Sequence, residues 1–243
     1  MPTVTSAATL LARLASFDWD KWNKSLAKDL KTPYRDLVLA SGKRAADAAG
    51  GMWKADDPFL TRFMTGYVGE RVKQLGKTSR KDVTEIIRRT FADPEAKKDP
   101  HSIANLVLDK VREKYDGYEE WRALRIARSE VGIGANHGSC FGIAQAGGGH
   151  VDVFDGTDDE ICKEANGQTW TIAEALNDPL GHPNCTRSLA PSKEDERKPE
   201  HYERWAQGID VDLLALFCAE AAEEIASRED PHAATRVMED END

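Results

Sequence analysis

Two cysteines and a histidine in the second half of the chain have the residue types and the spacing of a metal site. His182 and Cys185 are separated by two residues, and Cys162 precedes His182 by 20 positions. Imidazole nitrogen and thiolate sulfur are ligands that suit structural Zn²⁺, which takes a tetrahedral set of four. The spacing therefore predicts that Cys162, His182 and Cys185 converge as a staple of the surrounding loops, with or without bound zinc.

A fourth ligand is not evident beside these three residues. His137 and Cys140 share a helical face at positions i and i+3, and they could supply ligands if that helix packs against the loops. Asp158 could instead complete a three-ligand site. The remaining alternative is a metal-free cluster held by packing and hydrogen bonds, since a lone buried cysteine usually behaves as a small apolar residue.

The same residues allow an enzymatic alternative, a zinc hydrolase or nuclease that uses His182 or His137 as a base. Such a centre needs three protein ligands, an open position for water and a nearby acid or base. The chain contains no HExxH or GxSxG motif, and its glycine triplet at 147–149 precedes a strand, which is the wrong context for a phosphate-binding loop. We therefore expect no catalytic residues and no small-molecule substrate.

The elements that would position these residues begin with a series of helices. The hydrophobic period and the flanking Asp, Pro and Gly residues predict helices at 19–30, 34–49, 57–75, 79–91 and from about 100 to 116. None of these segments carries a chemical motif. The sequence therefore predicts a helical scaffold over residues 1–117.

A further helix is predicted from Tyr118 to about Ala146, and its second half is unusually rich in small residues. Gly132, Gly134, Gly138 and Gly142 lie inside it. Each interior glycine destabilises a helix by up to about 1 kcal/mol relative to alanine. These residues therefore indicate that another backbone packs closely against this part of the helix.

After the glycine triplet the hydrophobic period becomes that of a strand. Val151 and Val153 alternate with polar residues. A loop-rich module follows up to Pro191, with a short helix at 172–177 that Thr171 is expected to cap. The module contains the three candidate metal ligands.

The acidity of the protein is confined to its C-terminal extension. Of 33 Lys and Arg and 43 Asp and Glu residues, 6 and 16 lie from Lys193 onward, which leaves 27 of each sign in residues 1–192. A neutral body argues against a protein that coats nucleic acid, since phosphate binding needs clustered cations. In the extension, an apolar pattern at 211–225 predicts a helix that docks on another protein, and residues 227–243 are predicted to be disordered.

The overall composition is that of a soluble cytoplasmic protein. Hydrophobic residues make up 40% and charged residues 31% of the chain, and no apolar run approaches the roughly 20 residues that span a bilayer. We therefore expect no membrane contact. A local basic patch leaves a DNA-binding module as a further alternative; it consists of Arg80, Lys81, Arg88 and Arg89.

Several sequence elements occur together between Arg122 and Pro191. In order, they are RALRIARSE at 122–130, the small-residue helix with Asn136, a short strand, Asp158 four positions before Cys162, NGQTW at 166–170 and HPNC at 182–185. In this order and spacing they resemble the head-morphogenesis domain of phage Mu F-like minor head proteins. The sequence differs from the pattern of that family at Arg187, where many of its members have a second cysteine.

The resemblance implies a structural virion protein, held at the portal vertex or on the capsid interior and made in the cytoplasm of a bacterial host. It implies portal and capsid proteins as partners, with a weak contact to packaged DNA. Within IARSE, Arg128 and Glu130 are candidate partner contacts or members of a buried network. Asn136, Asn166 and Gly167 are the other candidate structural residues of the resembling block.

The sequence thus predicts a mainly helical α+β protein in three regions. They are a helical region at 1–117, a small α/β module with a few short strands at 118–191, and a helical acidic extension at 192–243. The middle region carries the head-morphogenesis resemblance.

Overall fold

Three long α-helices come first in the chain, and a small antiparallel sheet with short helices follows. The computed structural model describes residues 11–12, 14–92, 103–156, 159–183, 185–193 and 195–228. Its helices include α1 (Trp19–Ala48), α2 (Pro58–Ala92), α3 (Ile103–Gln145), α4 (Glu160–Ala165), α5 (Ile172–Asn177), α6 (Pro199–Gly208) and α7 (Val211–Ser227). Its sheet contains β1 (His150–Phe154), β2 (Thr169–Thr171) and β3 (Ser188–Pro191). The predicted mainly helical α+β class is confirmed.

The first three helices are longer than the sequence predicted, because three expected breaks lie inside them. Pro33 lies within α1, Gly76 within α2 and Gly117 within α3. The prediction of separate shorter helices on either side of these residues is therefore wrong. Proline keeps a helical φ although it removes one hydrogen bond, and Gly76 serves packing, since a Cβ there would lie 2.6 Å from the side-chain oxygen of Asn23.

By contacts between residues, the chain divides into two compact units. One combines Met1–Ala27 with Val72–Leu124, and the other combines Lys28–Arg71 with Arg125–Asp243. The smaller unit therefore takes the beginning of α1, the end of α2 and the beginning of α3. The three regions predicted from sequence character divide the chain elsewhere and stay a prediction.

The described part of the smaller unit has a modest apolar core and an exposed basic face on α2. Its buried apolar side chains are Val72, Leu75, Ile87 and Val107. The four basic residues of the predicted patch, Arg80, Lys81, Arg88 and Arg89, are exposed. Arg89 pairs with Glu85 one turn away at 2.6 Å, as solvated helical faces commonly do.

The core of the larger unit forms between segments of α1, α2 and α3. Phe63 of α2 packs on Phe141 of α3 with ring centroids 4.8 Å apart, and Tyr67 of α2 stacks on Tyr34 of α1 at 4.7 Å. These aromatic pairs bury large apolar areas and favour specific ring orientations. They fix the position of the second half of α3, which precedes the loop module in the chain.

The glycines of α3 allow the backbone of α1 to approach it closely. A Cβ at Gly138 would lie 2.5 Å from the carbonyl oxygen of Val38, and a Cβ at Gly142 would overlap the carbonyl oxygen of Gly42. Gly132 instead faces the side chain of Leu180 in the loop module. The predicted close packing along this helix is confirmed.

The sheet has the order β2-β1-β3, and both pairings are antiparallel. Val151 pairs with Trp170 on one side and with Pro191 on the other. Val151 and Val153 are fully buried, which confirms the predicted alternation of the strand. Thr171 ends β2 and caps α5 in a capping box with Glu174, as its position before Ile172 predicted.

The last described helix, α7, packs against α5 through one apolar face. Asp210 caps it by accepting hydrogen bonds from the backbone of Asp212 and Leu213. The predicted helix at 211–225 is confirmed, and the residues predicted to be disordered beyond Arg228 lie outside the described part of the chain. None of the helices among the described residues combines the length and apolar character needed to cross a membrane.

Candidate metal centre

Two short segments bring the candidate ligands together. The first is α4, which begins after β1 and carries Cys162; its N-cap, Asp159, accepts a hydrogen bond from the Cys162 backbone at 2.9 Å. The second is the loop after α5, where the Cys185 backbone N–H donates to the His182 carbonyl oxygen at 3.1 Å. Capping fixes the start of α4, and this turn orients His182 and Cys185 toward it.

Cys162, His182 and Cys185 form a group that could hold a metal ion. Their ligand atoms all lie within 4.8 Å of one another, and the two Sγ atoms are 3.7 Å apart. Two thiolates bound to one tetrahedral Zn²⁺ at about 2.3 Å would be separated by about 3.8 Å. The two sulfurs are free thiols, since a disulfide would bring them to about 2 Å.

His182 presents its Nε2 atom to this group. Its Nδ1 lies 2.8 Å from the Pro183 carbonyl oxygen, which can only accept, so Nδ1 carries a proton. Its Nε2 lies 2.9 Å from Oδ2 of Asp159, and both side chains are largely buried. Histidines that bind metals commonly donate the other ring N–H to a backbone carbonyl or carboxylate, and His182 has this arrangement.

Asp155 and Arg187 form a buried ion pair beside the sulfurs. Arg187 Nε donates to Asp155 Oδ2 at 2.6 Å, and both side chains are completely buried. The thiol of Cys185 donates to the other Asp155 oxygen at 3.2 Å, and the Arg187 backbone N–H lies 3.4 Å from Cys185 Sγ. Arg187 also donates to Asp178 and lies over the ring of Trp170 at 5.0 Å. Arg187 is thus part of the wall of the centre.

The electrostatics of the group favour a cation. Burial raises the pKa of the Cys162 thiol well above its usual range, and the neighbouring carboxylates of Asp159 and Asp155 raise it further. Burial also raises the pKa of Cys185. Burial alone would raise the pKa of Asp159, but hydrogen bonds from Cys162 and the contact with His182 outweigh it and lower that pKa. A divalent cation would offset this excess of acidic groups and bind the sulfurs as thiolates.

His137 and Cys140, proposed from sequence as additional ligands, lie in the helical core. His137 Nδ1 accepts from the Tyr34 hydroxyl at 2.8 Å, and Nε2 faces the Leu176 carbonyl oxygen at 3.2 Å. Burial lowers the pKa of His137 to about 4, so the ring is neutral at neutral pH. Cys140 is fully buried, and its burial raises its pKa. Both residues serve packing, and the geometry gives neither a place in the metal group.

Asp159, one position after the sequence candidate, contacts His182 of the metal group. Asp158 lies outside the described residues. Sequence reasoning missed Asp159 and the Arg187 pair. Asp159 had a local signal, because an Asp three positions before Cys162 is typical of a helix N-cap. Arg187 had none, since its partners Asp155 and Asp178 lie 32 and 9 positions away and form no local motif with it.

The remaining residues of the resembling block take part in the internal bonding of the larger unit, with one exception. Asn136 Nδ2 donates to the carbonyl oxygens of Pro179 at 2.7 Å and Arg187 at 2.9 Å. Asn166 Oδ1 accepts from the Asp155 backbone at 3.0 Å. The exception is Arg128, which is exposed.

Gly167 and Glu130 have distinct structural tasks. Gly167 has a φ of 81°, a left-handed conformation that glycine adopts without strain. Glu130 accepts from Arg71 Nε at 2.6 Å and from the Tyr67 hydroxyl at 3.0 Å. Arg71 is buried and also binds Glu223 at 2.6 Å. Two interpretations were given for the polar residues of IARSE, a partner contact and a buried network, and Glu130 belongs to a buried network.

Comparison of the chain with protein-family models, with curated proteins and with solved structures finds no match. A functional inference for this protein therefore depends on its own residues and on their geometry.

Proposed function

We propose that the chain is a structural component of a phage head, a minor head protein of the Mu F-like kind. The observation that carries the proposal is the direct bonding, inside one compact unit, of sequence elements that occur in the order of the Mu F-like block. Asn136 of the glycine-lined helix bonds to the carbonyl of Arg187 beside HPNC. Asn166 of NGQTW bonds to the strand end at Asp155.

The internal hydrogen bonds of these side chains suit a protein that acts by binding neighbouring proteins in an assembly. Asn136, Glu130 and Asn166 each bond to other groups of the chain, and they join α3, the sheet and the loops. Buried polar groups with satisfied hydrogen bonds favour one unique arrangement of a core. The residues of the resembling block therefore specify one defined shape of this part of the chain. Assembly at a portal vertex or capsid interior requires such a defined shape.

A structural zinc ion bound by Cys162, His182 and Cys185 supports the same role. The loop between α5 and β3 contains few apolar side chains, and a metal ion would tie it to α4. Metal binding contributes directly to folding where a preformed site exists only in the folded chain. The sulfur separation, the proton on His182 Nδ1 and the surrounding carboxylates all fit zinc.

Metal analysis of the purified protein tests the zinc staple. We expect one zinc per chain, a lower midpoint of thermal unfolding after chelation, and loss of zinc in Cys185→Ala. The control is Cys218→Ala, since Cys218 is a buried cysteine of α7 outside the metal group and its loss should leave zinc in place. Absence of zinc, together with unchanged stability of Cys185→Ala, would remove the staple in its metal-bound and metal-free forms.

The exposed apolar side of α7 is the proposed contact with a portal or capsid protein. Leu213 and Phe217 lie one turn apart, and 46% and 48% of their surfaces are exposed although the opposite face of α7 is buried. Aromatic and aliphatic side chains of this kind form the centre of many protein interfaces.

Copurification tests the structural role directly. The tagged chain should carry portal or capsid proteins with it from cells that assemble the phage head, and it should be found in purified particles. The double variant Leu213→Ser, Phe217→Ser should fold but lose its partner, and Met52→Ser, at another exposed apolar position, should keep it. Absence of the wild-type chain from both portal complexes and particles would contradict the proposal.

A zinc hydrolase is the second candidate, because a centre with three protein ligands is typical of catalytic zinc. It would need an open fourth position for water. Hydrolytic activity that disappears on chelation and returns with added zinc would favour this candidate over the structural one.

A further inference from the structure

A groove with apolar walls lies in the larger unit, between segments of α1, α2 and α3. It has a volume of about 270 Å³. Tyr34 and Tyr67 line its buried side, and Ala127 and Val131 line its exposed rim. None of the described residues that line it belongs to the metal group or to the exposed apolar side of α7. The groove is therefore distinct from both of the sites described above.

Arg71 also lines the groove, and its guanidinium has one donor that is not used. Nε donates to Glu130 and Nη1 donates to Glu223, each at 2.6 Å, and the side chain is 1% exposed. The third nitrogen, Nη2, is buried and has no hydrogen-bond partner among the residues that the structure describes. Buried donors are nearly always bonded in folded proteins. A group in the groove that offered an acceptor to Arg71 would complete this pattern.

The charges beside the groove favour a neutral acceptor. Arg71 contributes one positive charge, and its partners Glu130 and Glu223 contribute two negative charges. A carboxylate or phosphate in the groove would add a further negative group in a setting with little water, where like charges repel strongly. An ammonium group has no lone pair that could accept a hydrogen bond from Arg71. The acceptor that fits is therefore an uncharged oxygen.

The size of the groove and its apolar walls select an aromatic occupant. A cavity of about 150 Å³ holds one benzene molecule, so this groove has room for one ring that carries a substituent. Sites for drug-sized molecules are larger, roughly 300 to 1,000 Å³. Among amino-acid side chains, only tyrosine joins one ring to a neutral oxygen that both accepts and donates a hydrogen bond. Such a hydroxyl can accept from Arg71 and donate to Glu130, which also lines the groove.

We propose that this groove is a docking site for a tyrosine side chain of a partner protein. The ring of that tyrosine packs against Tyr34 and Tyr67 on the buried side, and its hydroxyl bonds to Arg71 and Glu130. Aromatic side chains that fill a pocket and carry a polar end are frequent anchors of protein interfaces. The exposed rim at Ala127 and Val131 leaves room for the backbone of the partner.

Binding of tyrosine analogues to the full-length protein tests the proposal. The probes are p-cresol, which is the tyrosine side chain alone, toluene, which lacks the hydroxyl, and 4-methylbenzoate, which has a carboxylate in its place. In an NMR titration we expect p-cresol to bind, and toluene to bind at least about 5-fold more weakly because it cannot bond to Arg71. We expect 4-methylbenzoate to bind more weakly than p-cresol. N-acetyltyrosinamide adds a peptide backbone to the ring and should bind at least as tightly as p-cresol.

Two variants on the exposed side of α3 locate the binding. Ala127→Trp places a large ring at the rim of the groove and should abolish the binding of p-cresol. Arg128→Trp is the matched control, because it adds the same ring at the next exposed position, outside the lining of the groove. It should bind p-cresol as the wild type does. Circular dichroism and thermal unfolding check that both variants fold.

Several outcomes would overturn the proposal. They are the absence of p-cresol binding, equal binding of toluene and p-cresol, tighter binding of 4-methylbenzoate, and unchanged p-cresol binding in Ala127→Trp. Binding of p-cresol without binding of N-acetyltyrosinamide would assign the groove to a free phenol, and it would equally overturn a partner's tyrosine. These titrations are independent of the zinc staple and of copurification with portal or capsid proteins, so the failure of one proposal is distinguishable from that of the others.

Discussion

The side-chain amide of Asn136 donates a hydrogen bond to the backbone carbonyl of Arg187, 2.9 Å away. The same Nδ2 atom donates its second hydrogen to the carbonyl of Pro179 at 2.7 Å. Pro179 and Arg187 lie on either side of the loop that carries His182 and Cys185. A single buried amide on α3 therefore holds both ends of this loop against the helix.

Replacing Asn136 should detach the loop from α3. In Asn136→Ala two buried carbonyl groups lose their donor, and each buried group without a partner destabilises a fold by about 1 to 3 kcal/mol. We expect the free energy of unfolding to fall by about 2 to 4 kcal/mol, measured by chemical denaturation. Asn177→Ala is the control, because Asn177 is exposed on α5. Equal stability of the two variants would show that the loop does not depend on Asn136.

The close packing of α1 against α3 leads to a second prediction, which concerns Gly142. Alanine at this position would overlap the carbonyl oxygen of Gly42 and force the two backbones apart. Such overpacking typically destabilises a core by about 1 to 3 kcal/mol. Gly69→Ala in α2 is the matched control, since a Cβ there meets nothing within 4 Å, and it should stabilise the protein by up to about 1 kcal/mol. Thermal unfolding of both variants should therefore shift in opposite directions.

Sequence reasoning succeeded where a structural requirement is local. Val151 and Val153 alternate in burial, Thr171 caps α5, and the glycines of α3 pack closely, because period, capping and side-chain size are all readable along a single segment. The expected helix breaks at Pro33 and Gly76 did not occur. At Gly76 tertiary packing against Asn23 outweighs the local preference for a break, and the sequence of that segment does not express this packing.

The candidate site was predictable in part for the same reason. The spacing of His182 and Cys185 predicts their proximity, and that of Asp159 and Cys162 could have done so. The contact between these two pairs depends on how α3, β1 and the loop fold together. The sequence did not indicate the ion pairs of Arg71, since its partners Glu130 and Glu223 lie 59 and 152 positions away.

The buried arginine makes a third prediction. Arg71 binds Glu130 and Glu223, both at 2.6 Å, and its side chain is 1% exposed. In Glu130→Gln the guanidinium keeps one carboxylate and loses the other. Breaking a buried pair from one side destabilises by about 3 to 5 kcal/mol, and we expect the lower value, about 3 kcal/mol, because Glu223 remains.

The control for this ion pair lies on the surface of the same unit. Asp212 pairs with Arg62, and both side chains are more than half exposed. Solvent screens such pairs, so Asp212→Asn should leave the free energy of unfolding nearly unchanged. If Glu130→Gln were as mild as Asp212→Asn, the buried network would not stabilise the packing of α2 on α3.

The neutral core histidine makes a prediction about pH. Burial lowers the pKa of His137 from 6.5 to about 4, so the unfolded chain takes up a proton at a higher pH than the folded chain. The stability associated with His137 is therefore complete above about pH 6.5 and is lost as the pH falls toward 4, by up to about 3 kcal/mol. Tyr34 and Tyr67 face the ring and stay uncharged over this range, because burial raises their pKa values.

The variant His137→Gln isolates this effect. Glutamine can accept from Tyr34 and donate toward the Leu176 carbonyl, the two hydrogen bonds that His137 makes, but it does not titrate. We expect the variant to be less stable than wild type at pH 7 and to lose less stability between pH 6.5 and pH 4, as measured by denaturation at a series of pH values. The other histidines contribute equally to both proteins, so the difference in slope belongs to His137. Parallel curves for the two proteins would mean that the ring is protonated in the folded state, and the hydrogen bond from Tyr34 to Nδ1 would then be wrong.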